Sequence, residues 1–412
     1  MGRKRGSYRT VRRLFESDLP WPTLLWEFFR VHCLEPNHVY LLAGDETVVS
    51  KAGKHTYGVG RFFSSLYDQP IRGVSFFCLS LVSVETSSAW PLRLAQLLPI
   101  HKKKQEPKPT PVSEASPQAQ SPKLTTRAST PKRSVGRPKG SKNKDKSQVS
   151  LNPELRLIQS EIQALQSTIN GLLPLCYVLL DGHFGNNPAT QMVGQCGLHI
   201  ISKLRYDSKL FFPYQGDDKR CKYGERINPR HMPTSTLVDS STEGDILTQT
   251  YQTIALHELF PQPLNVVIIL KTNLKTHQHV HVILFSSDLE LDYKELVEYY
   301  SLRFQLEFVF RDAKQFWGLE DFMNRSETGV TNAANLAFFI VMLSQRLLIH
   351  LKPHWPEVSI LDLKAWFRGY RYADELLKYL PQNLDPILSA SIFSNIVNLG
   401  AIHPFPRSDD PL

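Results

Sequence analysis

Apolar positions along this chain change period several times, and each change marks a different kind of element. Residues 38–50 (HVYLLAGDETVVS) and 72–86 (RGVSFFCLSLVSVET) are dense in β-branched and aromatic side chains, with the polar, glycine-containing stretch KAGKHTYGVG between them. That pattern predicts two strands opening a mixed sheet. Residues 1–37 read as a short helical lead-in, with Leu14, Phe15, Leu24, Leu25, Phe28 and Phe29 as its apolar positions beside Arg12, Arg13 and Arg30. Further on, Leu155, Ile158, Ile162, Leu165, Ile169 and Leu172 recur at three and four, which predicts an amphipathic helix. The unbroken apolar run 175–180 after it ends at Asp181 and predicts a strand covered on both faces, as in the parallel part of a sheet. Two more runs, LNVVIILK (264–271) and HVHVILFS (279–286), flank a polar turn and predict a hairpin. Beyond Gly318 the pattern returns to helices, including 332–351, where Leu336, Phe339, Ile340 and Leu343 make an apolar stripe.

The segment 300–314, YSLRFQLEFVFRDAK, carries the most chemistry. Tyr300, Arg303, Glu307 and Lys314 stand at i, i+3, i+7 and i+14, and at roughly 100° per residue they fall within one narrow stripe of a helix. Leu302, Phe304, Leu306, Phe308, Val309 and Phe310 lie between them, so most of the remaining helix surface is expected to be buried. A carboxylate set among two cations and a phenol on an otherwise buried helix reads as the wall of an active site.

The spacing Tyr-x2-Arg-x3-Glu-x6-Lys resembles the signature of DDE transposases of the bacterial insertion-sequence type, in the branch named for those four residues. Two further segments resemble that family in the same order: GDETVVSKAGKHT around Asp45 and LLDGHFGNN around Asp181. The resemblance spans about residues 38–352 with one long interruption. It implies an α/β, ribonuclease-H-like mixed sheet flanked by helices, with Asp45, Asp181 and Glu307 as both catalytic triad and metal ligands. It further implies two Mg²⁺ ions, with Mn²⁺ as a substitute, cleavage at transposon ends and strand transfer into target DNA. Double-stranded DNA would be the partner, bridged by a homodimer, and Tyr300, Arg303, Lys314, Lys51 and Lys54 would contact it. Relatives usually carry a longer helical region before the first aspartate than the 44 residues found here.

The residues themselves leave rivals open. Asp45 and Asp181 each follow an apolar run, where an unpaired charge is expensive unless a cation sits beside it, though an aspartate capping a turn needs no ion. Glu46 would point to the opposite sheet face. Asp288, in FSSDLELD, competes with Asp181 for the second position but has the composition of a helix cap. Lys51 and Lys54 fit a solvated hairpin as well as a DNA contact. Arg303 and Lys314 have an alternative as partners of Glu298 or Asp312. His277, His279 and His281 alternate as metal ligands do, yet no Cys or fourth ligand is near, so a polar edge strand is the plainer reading.

Charge sharpens the domain plan. Residues 101–150 hold 13 Lys and Arg against 3 Asp and Glu, more than the whole chain's net +9, together with seven prolines. So few large apolar residues cannot bury enough surface to fold, which predicts a disordered basic linker. Within it, Gly136-Arg137-Pro138-Lys139-Gly140 resembles an AT-hook, in which Arg137 and Lys139 would enter an A·T-rich minor groove. The expected organisation is a helical region (1–37), a first core part (38–100), the linker (101–150), a second core part (151–205), a strand-rich insertion (206–290), the glutamate helix with following core helices (291–352) and a C-terminal helical region (353–412).

Composition excludes other classes. No run approaches the roughly 18 consecutive apolar residues of a membrane span, and the opening MGRKRGSYRT has no signal-peptide core. Five cysteines without a CxxC pair suit reduced thiols. The expectation is a cytoplasmic, nucleoid-associated protein without membrane contact. An inactive relic that only binds DNA, or a structure-directed nuclease on the same core, remains an alternative.

Overall fold

The computed structural model describes residues 8–64, 67–99, 145–218, 220–379 and 385–404. The AT-hook-like motif, with Arg137 and Lys139, lies outside the described residues. Two helices, α1 (Tyr8–Glu16) and α2 (Trp21–His32), precede four strands, β1 (Tyr40–Ser50), β2 (Gly60–Ser64), β3 (Gln69–Ser83) and β4 (Ser88–Leu97). Then come α3 (Pro153–Ile169), β5 (Tyr177–Leu180), α4 (Asn187–Gln195) and β6 (His199–Leu204). Six strands follow: β7 (Leu210–Pro213), β8 (Tyr223–Arg226), β9 (Leu237–Glu243), β10 (Ile246–His257), β11 (Leu264–Asn273) and β12 (His279–Ser286). The described chain closes with α5 (Tyr293–Leu302), α6 (Gln305–Gln315), α7 (Glu327–Leu351), α8 (Ile360–Leu377) and α9 (Pro386–Val397).

All twelve strands join one mixed sheet, ordered β2-β3-β1-β5-β6-β12-β11-β10-β7-β8, with β4 on β3 and β9 on β10. β1, β3 and β4 form an antiparallel unit, and β5 and β6 run parallel to β1. This is a ribonuclease-H-like topology flanked by helices. The strand-rich stretch after β6 extends the same sheet, because β12 pairs with β6 and β11 with β12.

The sheet separates two cores, and the side-chain alternation of its central strands shows why their sequences are nearly continuous in apolar residues. Phe77, Leu79 and Leu81 of β3, with Leu42 of β1 and Val178 and Leu180 of β5, face α2, α3 and α4. Phe76, Cys78 and Val82, with Leu41, Ala43 and Leu179, face α5, α6 and α7. A strand covered on both sides needs an apolar residue at every position, each large one contributing about 2–3 kcal/mol by leaving water. α7 is long and apolar enough to cross a membrane by length and composition alone. Its Val330, Ala334, Ala337, Phe338 and Val341 pack into one core and Met342 into the other.

The N-terminal helices are fastened to α7 through one buried side chain. Asn332, 2% exposed, accepts from the Trp21 indole Nε1 at 2.7 Å and donates through Nδ2 to the carbonyls of Leu14, Phe15 and Ser17 at 3.1, 3.1 and 2.8 Å. Those carbonyls lie at the end of α1 and just past it, where a helix has no internal donors left. Replacing Asn332 by Ala orphans the indole and removes their shared donor, so urea denaturation should show a loss of about 2–3 kcal/mol. A change below a few tenths would mean that the N-terminal helices contribute little to the cooperative fold.

Candidate active site

The parallel pairing of β1 with β5 fixes the first two acids. The register runs Leu42 to Val178, Ala43 to Leu179 and Gly44 to Leu180, so Asp45 and Asp181 stand one step beyond its last pair, on adjacent strands. Adjacent strands lie about 4.8 Å apart. Both acids share the parity of Ala43 and Leu179 and therefore face α5–α7. A Cβ on Gly44 would press on the Phe77 ring, which is why the residue before Asp45 is the smallest available. Asp181 caps a short 3-10 turn, accepting the His183 N–H at 3.1 Å, while its own carbonyl accepts from Ser202 Oγ at 2.7 Å. Gly185 closes that turn because any Cβ there would collide with the Lys203 carbonyl.

The expected single helix over 300–314 is two helices joined by a tightened turn. Arg303 and Phe304 keep helical backbone angles, but hydrogen bonds there reach back three residues: Arg303 N to Tyr300 O (3.3 Å), Phe304 N to Ser301 O (3.1 Å) and Leu306 N to Arg303 O (3.0 Å). Leu306, Val309, Phe310 and Ala313 anchor α6 in the core. Phe304 and Phe308, expected to be buried, are 49% and 37% exposed, pack edge to face at 5.1 Å, and carry Arg311 over the Phe308 ring. The helix face they occupy turns away from the sheet.

Arg303 ties the acids together. Its Nη1 donates to Asp45 Oδ2 at 2.5 Å and its Nη2 to Glu307 Oε1 at 3.1 Å, and Asp45 Oδ1 also accepts the Glu46 N–H at 2.8 Å. The Arg303 and Asp45 side chains are 16% and 17% exposed, whereas Glu307 is 46% exposed and opens the site to solvent. Arg303 Nε is buried with no partner. Burial pushes the Asp45 carboxyl up to about 6; Arg303 opposes this, and the charges of Asp181 and Glu307 reinforce it. Burial also raises the Tyr300 hydroxyl; the charge of Arg303 opposes this, and the charges of Asp181 and Asp45 reinforce it. Asp45, Asp181, Glu307, Tyr300 and Arg303 thus form one electrostatic unit.

The other expected contacts divide. Lys314 Nζ donates to the Val48 carbonyl at 2.8 Å, and burial lowers its pKa. Lys51 Nζ donates to the carbonyls of Glu320 and Phe322 at 2.8 and 2.9 Å and lies 3.6 Å from the Phe322 ring centre. Both lysines brace the loop after α6 and α6 itself against β1, while Lys54 is exposed. Arg303 pairs with neither Glu298 nor Asp312, and Asp312 is taken by Arg311.

Asp288 accepts from the Tyr177 hydroxyl at 2.6 Å. Tyr177 begins β5 and Asp181 follows its end, so Asp288 lies at the opposite end of that strand from Asp181. Nor does it cap α5, a role taken by Asp292. Glu46 points to the far face as expected, where it accepts from Ser75 Oγ. There it feels Glu154 and His183, whose Nε2 lies 3.6 Å from Glu154 Oε1, a grouping that no sequence spacing announced. His279 and His281 engage Thr272 and the Tyr206 carbonyl separately, and His277 sits in the hairpin turn. All five cysteines are free.

Among the described residues, no three His, Cys, Asp or Glu side chains stand together as a ready metal cage. The ligand chemistry of Asp45, Asp181 and Glu307 nevertheless fits a hard divalent cation, since all three offer carboxylate oxygens; a guanidinium occupies the space between two of them.

The mixed sheet with its flanking helices defines a ribonuclease-H-like domain, and on one face of it stand Asp45 within β1, Asp181 just past β5 and Glu307 on α6. A family described as DDE superfamily endonuclease matches residues 1–260, well over half of the chain, and the chain belongs to that family. The matched region contains Asp45 and Asp181, and Glu307 follows it. Comparison with curated proteins returns no match.

The raised Asp45 pKa has a stability consequence. A carboxyl that titrates near 6 when folded and near 3.8 otherwise favours folding most below 3.8, and that contribution is lost as pH rises through 6. Without divalent ions, the stability of the protein relative to Asp45→Asn should therefore rise by about 1–3 kcal/mol between pH 7 and pH 4. A flat difference across that window would show that Arg303 cancels the burial.

Proposed function

We propose that this chain is a transposase that cuts the ends of a mobile DNA element and joins them to target DNA, in the branch carrying the Tyr-Arg-Glu-Lys signature. The observation that carries the reading is the side-by-side placement of Asp45 and Asp181 with Arg303 linking Asp45 to Glu307. In this reading Asp45, Asp181 and Glu307 hold two Mg²⁺ ions, or Mn²⁺ in their place. Such ions, when bound, would activate the attacking water or 3′-hydroxyl and stabilise the leaving oxygen of an in-line displacement.

The chain's own groups do the positioning. Asp45 sits within β1 and Asp181 just past the end of the paired β5, so their carboxylates approach the scissile phosphate from a fixed platform. Glu307, on α6, is the acid of the three that meets solvent. Tyr300 stays a neutral phenol, raised by burial, and its hydroxyl can donate to a phosphate oxygen. Lys51 and Lys314, committed to backbone carbonyls, hold β1 and α6 at a constant distance and touch DNA only if those bonds are exchanged. Lys54, with Arg137 and Lys139, supplies phosphate and minor-groove contacts. The working form is a homodimer bridging two DNA ends, in the cytoplasm with the nucleoid.

A second reading rests on the same ion pair: a relic in which Arg303 permanently neutralises Asp45 and Glu307, leaving DNA binding without cleavage. Metal-dependent nicking of end-bearing DNA separates the two, and a strand-transfer assay separates the transposase from a nuclease that only cuts. Asp181→Ala should reduce end cleavage to background while DNA affinity stays within about twofold, and Asp288→Ala should leave cleavage intact. Cleavage surviving in Asp181→Ala with Mg²⁺ would disprove the assignment of this trio. Neutralising the basic residues between 132 and 146 should weaken DNA binding and flatten its salt dependence, the slope falling by roughly 0.9 for each phosphate that is no longer neutralised. An unchanged slope would remove that segment from the interface.

A further inference from the structure

Arg303 is bound in an unusual way for a residue expected to grip DNA. Its guanidinium is turned inward, bonded to Asp45 at 2.5 Å and to Glu307 at 3.1 Å, with only 16% of the side chain exposed. Buried Arg303 Nε has no partner, so the pocket satisfies the charge of the guanidinium without satisfying all its donors. The neighbouring cations are engaged differently: Lys51 and Lys314 bond to backbone carbonyls. Arg303 alone of the three is bonded to the acids themselves.

We propose that Arg303 is a built-in occupant of the metal position, which a divalent cation must displace and which is released toward DNA phosphate when it does. The inference rests on the reading of Asp45, Asp181 and Glu307 as a metal-holding trio and adds how that trio is kept closed and how it opens.

Three features support the exchange. Arginine cannot shed its proton, so the guanidinium and a divalent ion cannot share the same carboxylates without strong repulsion. The exchange replaces one cation by another, which keeps Asp45 and Glu307 neutralised throughout and avoids leaving the buried Asp45 carboxylate unpaired. Glu307 is the most exposed of the three acids, so the Arg303–Glu307 bond is the one that solvent ions reach first. A displaced Arg303 then needs a new anion, and a phosphodiester offers two oxygens in the geometry a guanidinium prefers. Metal and DNA therefore bind cooperatively, each removing the competitor of the other, with reciprocal strength.

The test is Mn²⁺ binding to the full chain without DNA, followed by titration calorimetry, for wild type, Arg303→Ala and Arg303→Gln. Both variants should bind Mn²⁺ about tenfold or more tightly than wild type, because the resident competitor is gone. Equal or weaker binding by the variants overturns the inference while leaving the trio intact as a metal site. Absence of saturable Mn²⁺ binding in all three proteins overturns the metal-site reading and the inference with it.

A second measurement holds even where the variants do not fold. Wild-type affinity for a short DNA duplex, read by fluorescence anisotropy, should rise about tenfold with Mn²⁺, whereas Asp181→Asn should show no such gain. A gain of the same size in Asp181→Asn, or none in wild type, counts against the exchange.

Discussion

Two carboxylates forced side by side inside a protein are the constraint around which this structure is arranged. Parallel pairing of β1 with β5 leaves no freedom in where Asp45 and Asp181 stand, because each is the next residue after a hydrogen-bonded register pair. At roughly 5 Å and an effective dielectric near 20, two unit charges repel by about 3 kcal/mol. Burial of Asp45 raises the cost further. Asp45, the buried member of the pair, is met by Arg303, delivered by the junction of α5 and α6 and shared with Glu307. The placement of those helices, the tightened turn between them and the exposure of Glu307 all serve that one neutralisation.

Holding the charges together requires a platform that does not yield, and the two cores provide it. β3 lies beside β1 and is buried along its central length on both faces, so β1 cannot slide without moving aromatic side chains in both layers. α7 reaches into both cores and, through Asn332, carries the N-terminal helices with it. Lys51 and Lys314 add polar braces between β1 and the α6 region. A small group of ionisable residues is thus supported by apolar packing on every side except the one where Glu307 meets solvent.

The sheet's local elements were legible because a strand covered on both faces must be apolar throughout: 38–50, 72–86 and 175–180 correspond to β1, β3 and β5. The alternating histidines, read as a polar edge strand, are instead the turn and the start of β12, which lies between β6 and β11. Asp181 directly after a strand and Glu307 on a helix agree with those patterns, whereas Asp45 falls in the middle of β1 because the strand runs on past the apolar stretch before it. What periodicity could not give was direction. A helical wheel places Arg303 near Glu307 but is silent on whether the guanidinium turns to DNA or to Asp45, 258 residues away in sequence. It likewise treats Phe304 and Phe308 as core, since composition cannot tell a face turned toward a sheet from one turned to water. The Glu46, Glu154 and His183 grouping was invisible for a related reason: three elements meet there only because the sheet brings α3 and the turn after β5 to one face of β1.

Charge placement also separates two tasks that one sequence has to perform. Residues 101–150 hold more positive charge than the whole chain's net, so the rest of the chain is close to neutral. The cations around the acidic cleft are committed internally, Arg303 to carboxylates and Lys51 and Lys314 to carbonyls, and give little long-range attraction to a polyanion. If the chain acts on DNA as proposed, attraction at a distance falls to residues 101–150, whose sequence carries the excess of positive charge. Selection of geometry falls to the cleft, where each charge is fixed by burial and by its partner. Placing both in one region would demand that buried acids and a strongly cationic surface share the same few strands, and pairing between them would exhaust the attraction before a ligand arrived. Separating them along the sequence lets the acids stay close together while the excess of positive charge lies in another stretch of the chain.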